Sequence, residues 1–373
     1  LKKIDYFEGD MKRYPAYEFP EYVNWVEDPS VIEAYHQVTQ QAERATVIEA
    51  LDEARLLDLY RQLVTARLHD IQLKRWVKQG VITKAWLGSG EEAVTIGMCA
   101  ALEDGDVVGP MIRNAGALIA RDVPLEVCFA AYLGTTDTIA RGRDLHIGDP
   151  TRGVIPPISH VGDLVPVMAG CALAFKLRNE PRVAMTWTGD GATATGIFHE
   201  GMRVAATLDA PLISVIQDNQ VALGTPNTKH HRGDFSAWGA VYGIPCYEVD
   251  GNNILDCYAA AQIAARRGRQ GLGASLIVAK TFRMGGHATH DEREARGLFD
   301  SSIYQYWGTR DPIGCYESWL KRYRGFSEES LQKVEDEVSQ RVDEAARSAQ
   351  SRKQSHAPSP DELTLGVYAA PLN

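Results

Sequence analysis

Apolar residues recur at helical spacing through Leu56, Leu57, Tyr60, Leu63, Val64, Leu68, Ile71 and Val77, and Gly80 closes the run, which predicts a long amphipathic helix. Residues 1 to about 50 are rich in Tyr, Glu and Pro with little periodicity before Val31, so an extended arm followed by a short helix is expected there. A further helix is expected after Ser89-Gly90, opening with Glu91-Glu92 where the helix dipole favours carboxylates, and Val165 to Lys176 reads as another. The period then alternates. Apolar or β-branched runs at 182–187, 211–217, 244–249 and 274–281 predict strands. Helical spacing at 194–208, 235–242 and 254–267 predicts helices between them, the first capped by Thr193 or Thr195. This order predicts an α/β fold, a doubly wound parallel sheet with helices on both faces, plus helical N- and C-terminal extensions.

From Asp311 onward the chain is charged and helical. Leu331, Val334, Val338 and Val342 form one stripe behind Ser327, a residue suited to capping, and this helix is expected to pack on the domain rather than form a coiled coil. The tail beyond it is polar and Pro-containing, with an apolar end suited to docking on a partner. The expected divisions are an arm and helix over 1–52, the α/β domain over 53–325, and a C-terminal helix and tail over 326–373.

Where the strand near 187 gives way to a helix, the chain reads TWTGDGATATGIFHEG, placing Asp190 between two glycines. A strand, a glycine turn and a helix start together expose backbone N–H groups and a positive dipole end, which suits phosphate oxygens. A carboxylate there is repulsive unless a cation lies between it and the phosphate. Magnesium meets that demand, because it takes hard oxygen ligands and shares its shell between carboxylates and phosphates. One strand later, QDN ends at Asn219, whose amide oxygen and the main-chain carbonyl of Val221 would add two more oxygens to such a shell. Both segments fall at the carboxyl edge of the expected sheet, where open α/β sheets bind ligands.

Composition narrows the class. The chain of 373 residues is 45% hydrophobic and carries a formal charge of −10, which supplies a sizeable core and no basic surface for nucleic acid. No apolar run approaches a membrane span, and the charged opening LKKIDYFEGDMKRYP has no signal-peptide core. The six cysteines form no CxxC pair and are expected to be reduced and buried. The expectation is a soluble intracellular protein, cytoplasmic or, in a eukaryote, of the mitochondrial matrix.

At the GDG…N motif the sequence resembles the thiamine diphosphate enzymes, and in particular the α subunit of the decarboxylating component of the 2-oxo acid dehydrogenase complexes. The resemblance runs over roughly residues 55 to 325 through GSGEEAVTIG, RNAGALIARDVPLE, RGRDLH, HVGDLVPVMAGCALA, GDGATATGIFHEGMRVAA, DNQVALGTP, YGIPCYEVDGNN and FRMGGHATHD, in family order. It implies that Asp190, Asn219 and the Val221 carbonyl hold Mg2+, and that Gly191 and Ala192 offer amides to the diphosphate of thiamine diphosphate. It implies that Arg113 binds the diphosphate, with Ile112 beside it as a cofactor contact where relatives usually carry an aromatic residue. Ser159 and Val161 match the segment whose backbone meets the aminopyrimidine, and His287 matches the active-site histidine. Gln217 stands where branched-chain relatives carry an arginine, which removes one cation from the diphosphate. The RNAG segment leans towards the branched-chain enzymes.

The resemblance further implies a 2-oxo acid substrate, acyl transfer to a lipoyl-bearing acyltransferase, and a β subunit in an α₂β₂ assembly that supplies the glutamate at the pyrimidine. Residues 1–373 hold no convincing second, pyrimidine-binding domain. Two other readings of the same residues stand at this point: a split-chain, transketolase-like transferase, and a cofactor-binding paralogue without turnover. His146 and His160 are open between site and local roles, whereas His199 on its helix is expected to be structural.

Overall fold

A computed structural model of the chain describes Trp25 and residues 27–363. The expected arm up to residue 24 and the apolar end of the tail lie outside the described residues.

Five strands form one parallel sheet: β1 (Val107–Gly109), β2 (Ala184–Gly189), β3 (Leu212–Asp218), β6 (Cys246–Asp250) and β7 (Ser275–Lys280), in the order β1-β2-β3-β7-β6. Between β3 and β6, a separate antiparallel pair, β4 (Val221–Ala222) and β5 (Thr225–Pro226), makes a small hairpin. From β1 through β3 to β6 the chain advances across the sheet, and from β6 to β7 it steps back. Right-handed crossovers then require the Ile254–Arg269 helix to lie on the opposite face from Leu164–Leu177 and Gly196–Thr207. It does. Met185, Trp187, Ile213, Val215 and Ile277 pack with Cys257, Ala260 and Ala264 on one face. Ala184, Leu212, Ile216 and Leu276 pack with Met168, Phe198 and Met202 on the other. Alternate residues of each strand thus bury against opposite helix layers, which confirms the doubly wound α/β fold.

The Leu56–Val77 stripe forms a 26-residue helix, Glu53–Lys78, capped by Asp52, whose side chain accepts from the Arg55 N–H. It packs against the Glu328–Arg352 helix through a shared core that includes Leu63, Trp76, Val338 and Val342. Ser327 caps that last helix through the Ser330 N–H, as the sequence indicates. Buried Arg67 bonds to Glu92 and, at 2.9 Å, to Asp311, locking the long helix to the Gly90–Glu92 turn and to the Pro312–Arg324 helix.

Several details differ from the sequence reading. β1 and the β4–β5 hairpin are too short to carry a readable period. Residues 235–242 split into a 3₁₀ turn and a short α-helix. Thr195 occupies the N-cap position of Gly196–Thr207, but its hydroxyl donates to the Ala192 carbonyl and that of Thr193 to the Asp190 carbonyl, so neither caps the helix. All six cysteines are free, although Cys171 and Cys246 are only partly buried. Among the described residues no helix is long and apolar enough to cross a membrane.

Candidate functional site

β2 and β3 end side by side, with Gly189 in register with Gln217, so the loops that follow them meet. Asp190 begins a 3₁₀ turn, Asp190–Ala194, that leads into the Gly196–Thr207 helix. Its Oδ1 accepts the Gly191 N–H at 2.8 Å, while Oδ2 is buried with no hydrogen-bond partner. Burial, with the nearby Asp218 charge, pushes the Asp190 carboxyl up to about 7. Leaving such an oxygen unsatisfied costs about 1–3 kcal/mol or more, and a hard divalent cation is what it suits.

Asn219 reaches the same edge. Gln220 after it takes a left-handed conformation (φ 72°), which turns the chain into the hairpin. Buried Asn219 donates from Nδ2 to Glu91 Oε1 at 2.8 Å, leaving its Oδ1 with only a long 3.4 Å contact from the Val221 N–H. Val221 is buried at the start of β4. Gly191 lets this hairpin close, because a Cβ there would stand 2.2 Å from the Ala222 Cβ. Among the described residues no group of three or more His, Cys, Asp or Glu side chains is placed to hold a metal. The residues fit a cation whose protein ligands are one carboxylate and neutral oxygens, with phosphate completing the shell.

A cavity of about 470 Å³ opens beside this turn. It is lined by Ile112, Arg113, Ser159, Val161, Ala192 and His287, together with Gly189, Trp187, Met111, Lys84 and Trp86. Six of the site residues expected from the sequence therefore line one cavity, while Asp190, Gly191, Asn219 and Val221 lie at the adjoining strand ends. Arg113, in the turn after β1, is buried and points Nη1 to within 3.5 Å of His287 Nδ1. Burial and the charges of Arg113 and Arg283 push His287 down to about 4, so its ring is neutral near pH 7. The histidine loop is folded on Asp291, whose carboxylate accepts the N–H groups of His287 and Ala288 at 2.9 and 2.7 Å.

The other histidines divide. His146, held to Asp144 at 2.6 Å, and the exposed His160 both line the cavity. His199 binds the Tyr242 hydroxyl and packs edge-on against Phe198 and tilted against Trp238, a structural role.

Sequence reasoning missed four participants. Glu91, read as a helix opener, instead sits buried between Gln217 and Asn219, accepting from both, with Arg113 3.8 Å away. Gln217 in turn accepts from Asn114, so its amide is a bridge in this network. Arg283 is buried, joins the Leu223 and Gly285 carbonyls, and keeps Nη1 without a hydrogen bond. Its burial and its proximity to Arg113 lower its pKa to about 10. Two neighbouring buried guanidiniums form the electrostatic setting of an anion site. Asp291 is the third omission, although it stood four residues after His287 in the sequence. His230, the fourth, places Nε2 3.7 Å from Asp190 Oδ2; nothing in its local sequence signals this.

Proteins of known activity are similar to this chain over most of its length. The α subunit of the pyruvate dehydrogenase E1 component of Acholeplasma laidlawii is 33% identical over 308 residues, 81% of this chain and 85% of its own. The mitochondrial α subunit of human 2-oxoisovalerate dehydrogenase is 32% identical over 322 residues, 85% of this chain and 71% of its own. The α subunit of Bacillus subtilis acetoin:2,6-dichlorophenolindophenol oxidoreductase is 31% identical over 326 residues, 86% of this chain and 96% of its own. The family described as dehydrogenase E1 component matches residues 60–358, which include every residue of the site, and the chain belongs to that family.

Proposed function

We propose that this chain is the α half of a two-chain enzyme that oxidatively decarboxylates a 2-oxo acid with thiamine diphosphate and Mg2+ and passes the acyl group to a lipoyl-bearing acyltransferase. The observation that carries this reading is an unsatisfied, buried Asp190 oxygen at the strand ends that adjoin the cavity lined by the Arg113–His287 pair. When bound, thiamine diphosphate supplies the ylid that adds to the 2-oxo carbon and the ring that takes up the electrons left by carbon dioxide.

The protein residues have separable duties. Asp190, Asn219 and the Val221 carbonyl hold the cation, while Arg113 and the amides of Gly191 and Ala192 hold the diphosphate. The Gly191 N–H lies on Asp190 Oδ1 in the chain alone, so it serves the diphosphate only by releasing that bond. Ser159 and Val161 meet the aminopyrimidine through their backbone. Arg113 donates towards His287 Nδ1, which leaves the proton on Nε2. A neutral imidazole of that kind can hydrogen-bond a developing oxyanion or pass a proton during acyl transfer. The pyrimidine carboxylate comes from a β subunit. The exposed apolar side chains Ile158 and Val161 beside the cavity suit that subunit's surface. The α/β domain spans 53–325 in this reading, flanked by 1–52 and 326–373, and the free thiols suit a reducing compartment.

The test is to assay the chain alone, and co-purified with its β subunit, against pyruvate, branched-chain 2-oxo acids and acetoin. Turnover confined to the pair and to a 2-oxo acid is expected. Robust decarboxylation by the single chain, or a pair that uses only acetoin, overturns the proposal.

A further inference from the structure

The helix Asn227–His230 seals the hairpin against the Asp190 turn. Its first residue is tied into the metal-side loop: Asn227 donates from Nδ2 to Gln220 Oε1 at 2.9 Å and to Asp218 Oδ1 at 3.3 Å, and from its N–H to the Gln220 carbonyl. After its last residue, His231 stacks on Phe235 with ring centroids 3.8 Å apart. Anchored at both ends, the helix holds the His230 ring in place, 15% exposed. Both ring nitrogens are buried and neither has a hydrogen-bond partner. Nε2 faces Asp190 Oδ2, likewise without one, at 3.7 Å.

Two buried polar atoms that face each other without bonding each cost about 1–3 kcal/mol unless a third group engages both. The separation suits a shared cation, since two donors each about 2.1 Å from one metal stand about 3–4 Å apart. His230 is not among the residues that line the cavity, so it stands with Asp190 on the cation side of the site.

We infer that His230 supplies an imidazole nitrogen to the cation beside Asp190, which raises the affinity of the site for first-row transition ions relative to Mg2+ over that of an all-oxygen site, with Mn2+ as the paramagnetic probe of that ligand. Magnesium prefers an all-oxygen octahedron, whereas imidazole suits first-row transition metals. Sequence gives no warning of this, because the histidine lies on a one-turn helix whose relation to Asp190 is set by the closure of the hairpin over Gly191. The inference rests on the cation–diphosphate reading above.

Mn2+ bound with thiamine diphosphate to the full chain, co-purified with its β subunit, is examined by pulsed electron paramagnetic resonance. A ¹⁴N hyperfine coupling typical of directly bound imidazole is expected in the unmodified protein and lost in His230→Gln. Competition titration is expected to show the preference for Mn2+ over Mg2+ falling at least tenfold in that variant, and His230→Asn repeats the comparison with a shorter amide. Bound Mn2+ without the coupling in the unmodified protein overturns the inference and leaves the cofactor reading standing. Failure of Mn2+ to bind at all in the presence of thiamine diphosphate overturns both.

Discussion

Arg113 Nη1 lies 3.5 Å from His287 Nδ1, although one residue follows β1 and the other sits in the loop beyond β7. A permanently charged guanidinium beside an imidazole disfavours its protonation, and burial acts in the same direction. His287 is therefore expected to titrate near 4 in the cofactor-free chain, against about 6.5 when unfolded. Between those pH values the unfolded chain binds a proton that the folded chain refuses. The contribution of His287 to stability is thus complete above about pH 6.5 and is lost as pH falls towards 4. Histidine titration by NMR checks it: a His287 midpoint near 6.5 in the folded chain contradicts the assignment.

His287→Ala should leave thiamine diphosphate binding measurable while lowering acyl transfer to a lipoyl acceptor by about 10²-fold or more, the usual scale for a lost proton-transfer group. Calorimetry and single-turnover transfer separate the two effects. Unchanged transfer removes His287 from the mechanism.

Asp190→Ala should abolish cation-dependent binding of thiamine diphosphate, because the only carboxylate among the proposed ligands is removed. In the cofactor-free chain the same change removes a buried, unsatisfied oxygen but also the acceptor of the Gly191 N–H, so thermal melting is expected to show only a small net change. A folded variant with full cofactor affinity would defeat the metal assignment.

Gly191→Ala should destabilise the chain by about 1–3 kcal/mol, the usual cost of overpacking, because the new methyl meets Ala222 at 2.2 Å. Gly189→Ala is the control: its nearest contact would be the Met111 sulfur at 3.8 Å, and its φ of −70° is ordinary. Equal denaturant midpoints for the two variants would show that the hairpin does not press on the Asp190 turn.

Phosphate control at the histidine loop is not expected. The residue after His287 is the buried Ala288, which has no hydroxyl to accept phosphate. The nearest hydroxyl, Thr289, accepts the Ala85 N–H at 3.0 Å and returns its own N–H to the Ala85 carbonyl at 2.9 Å. A phosphate would bring about −1.5 to −2 charges and break this pairing. Peptide mass spectrometry on protein from its native cells is the check, and stoichiometric phosphate on Thr289 with lost activity overturns it.

The sequence by itself determined the fold class and the main turns of the site. Strand and helix periods differ, so the alternation from residue 182 onward could be read locally, and Asp190 and Asn219 each announced themselves by following a strand. Only the tertiary structure decided which distant groups meet them. Glu91 follows an ordinary helix-start pattern, yet packing turns it inward as the acceptor for Gln217 and Asn219. Arg283 and Arg113 become neighbours only because the loops after β7 and β1 converge at one edge of the sheet. His230 reaches Asp190 because Gly191 has no Cβ to hold Ala222 and the hairpin away. Local spacing encodes which face of an element is buried, whereas the partners of a buried charge are set by strand order and loop closure, and these bring together residues more than a hundred positions apart.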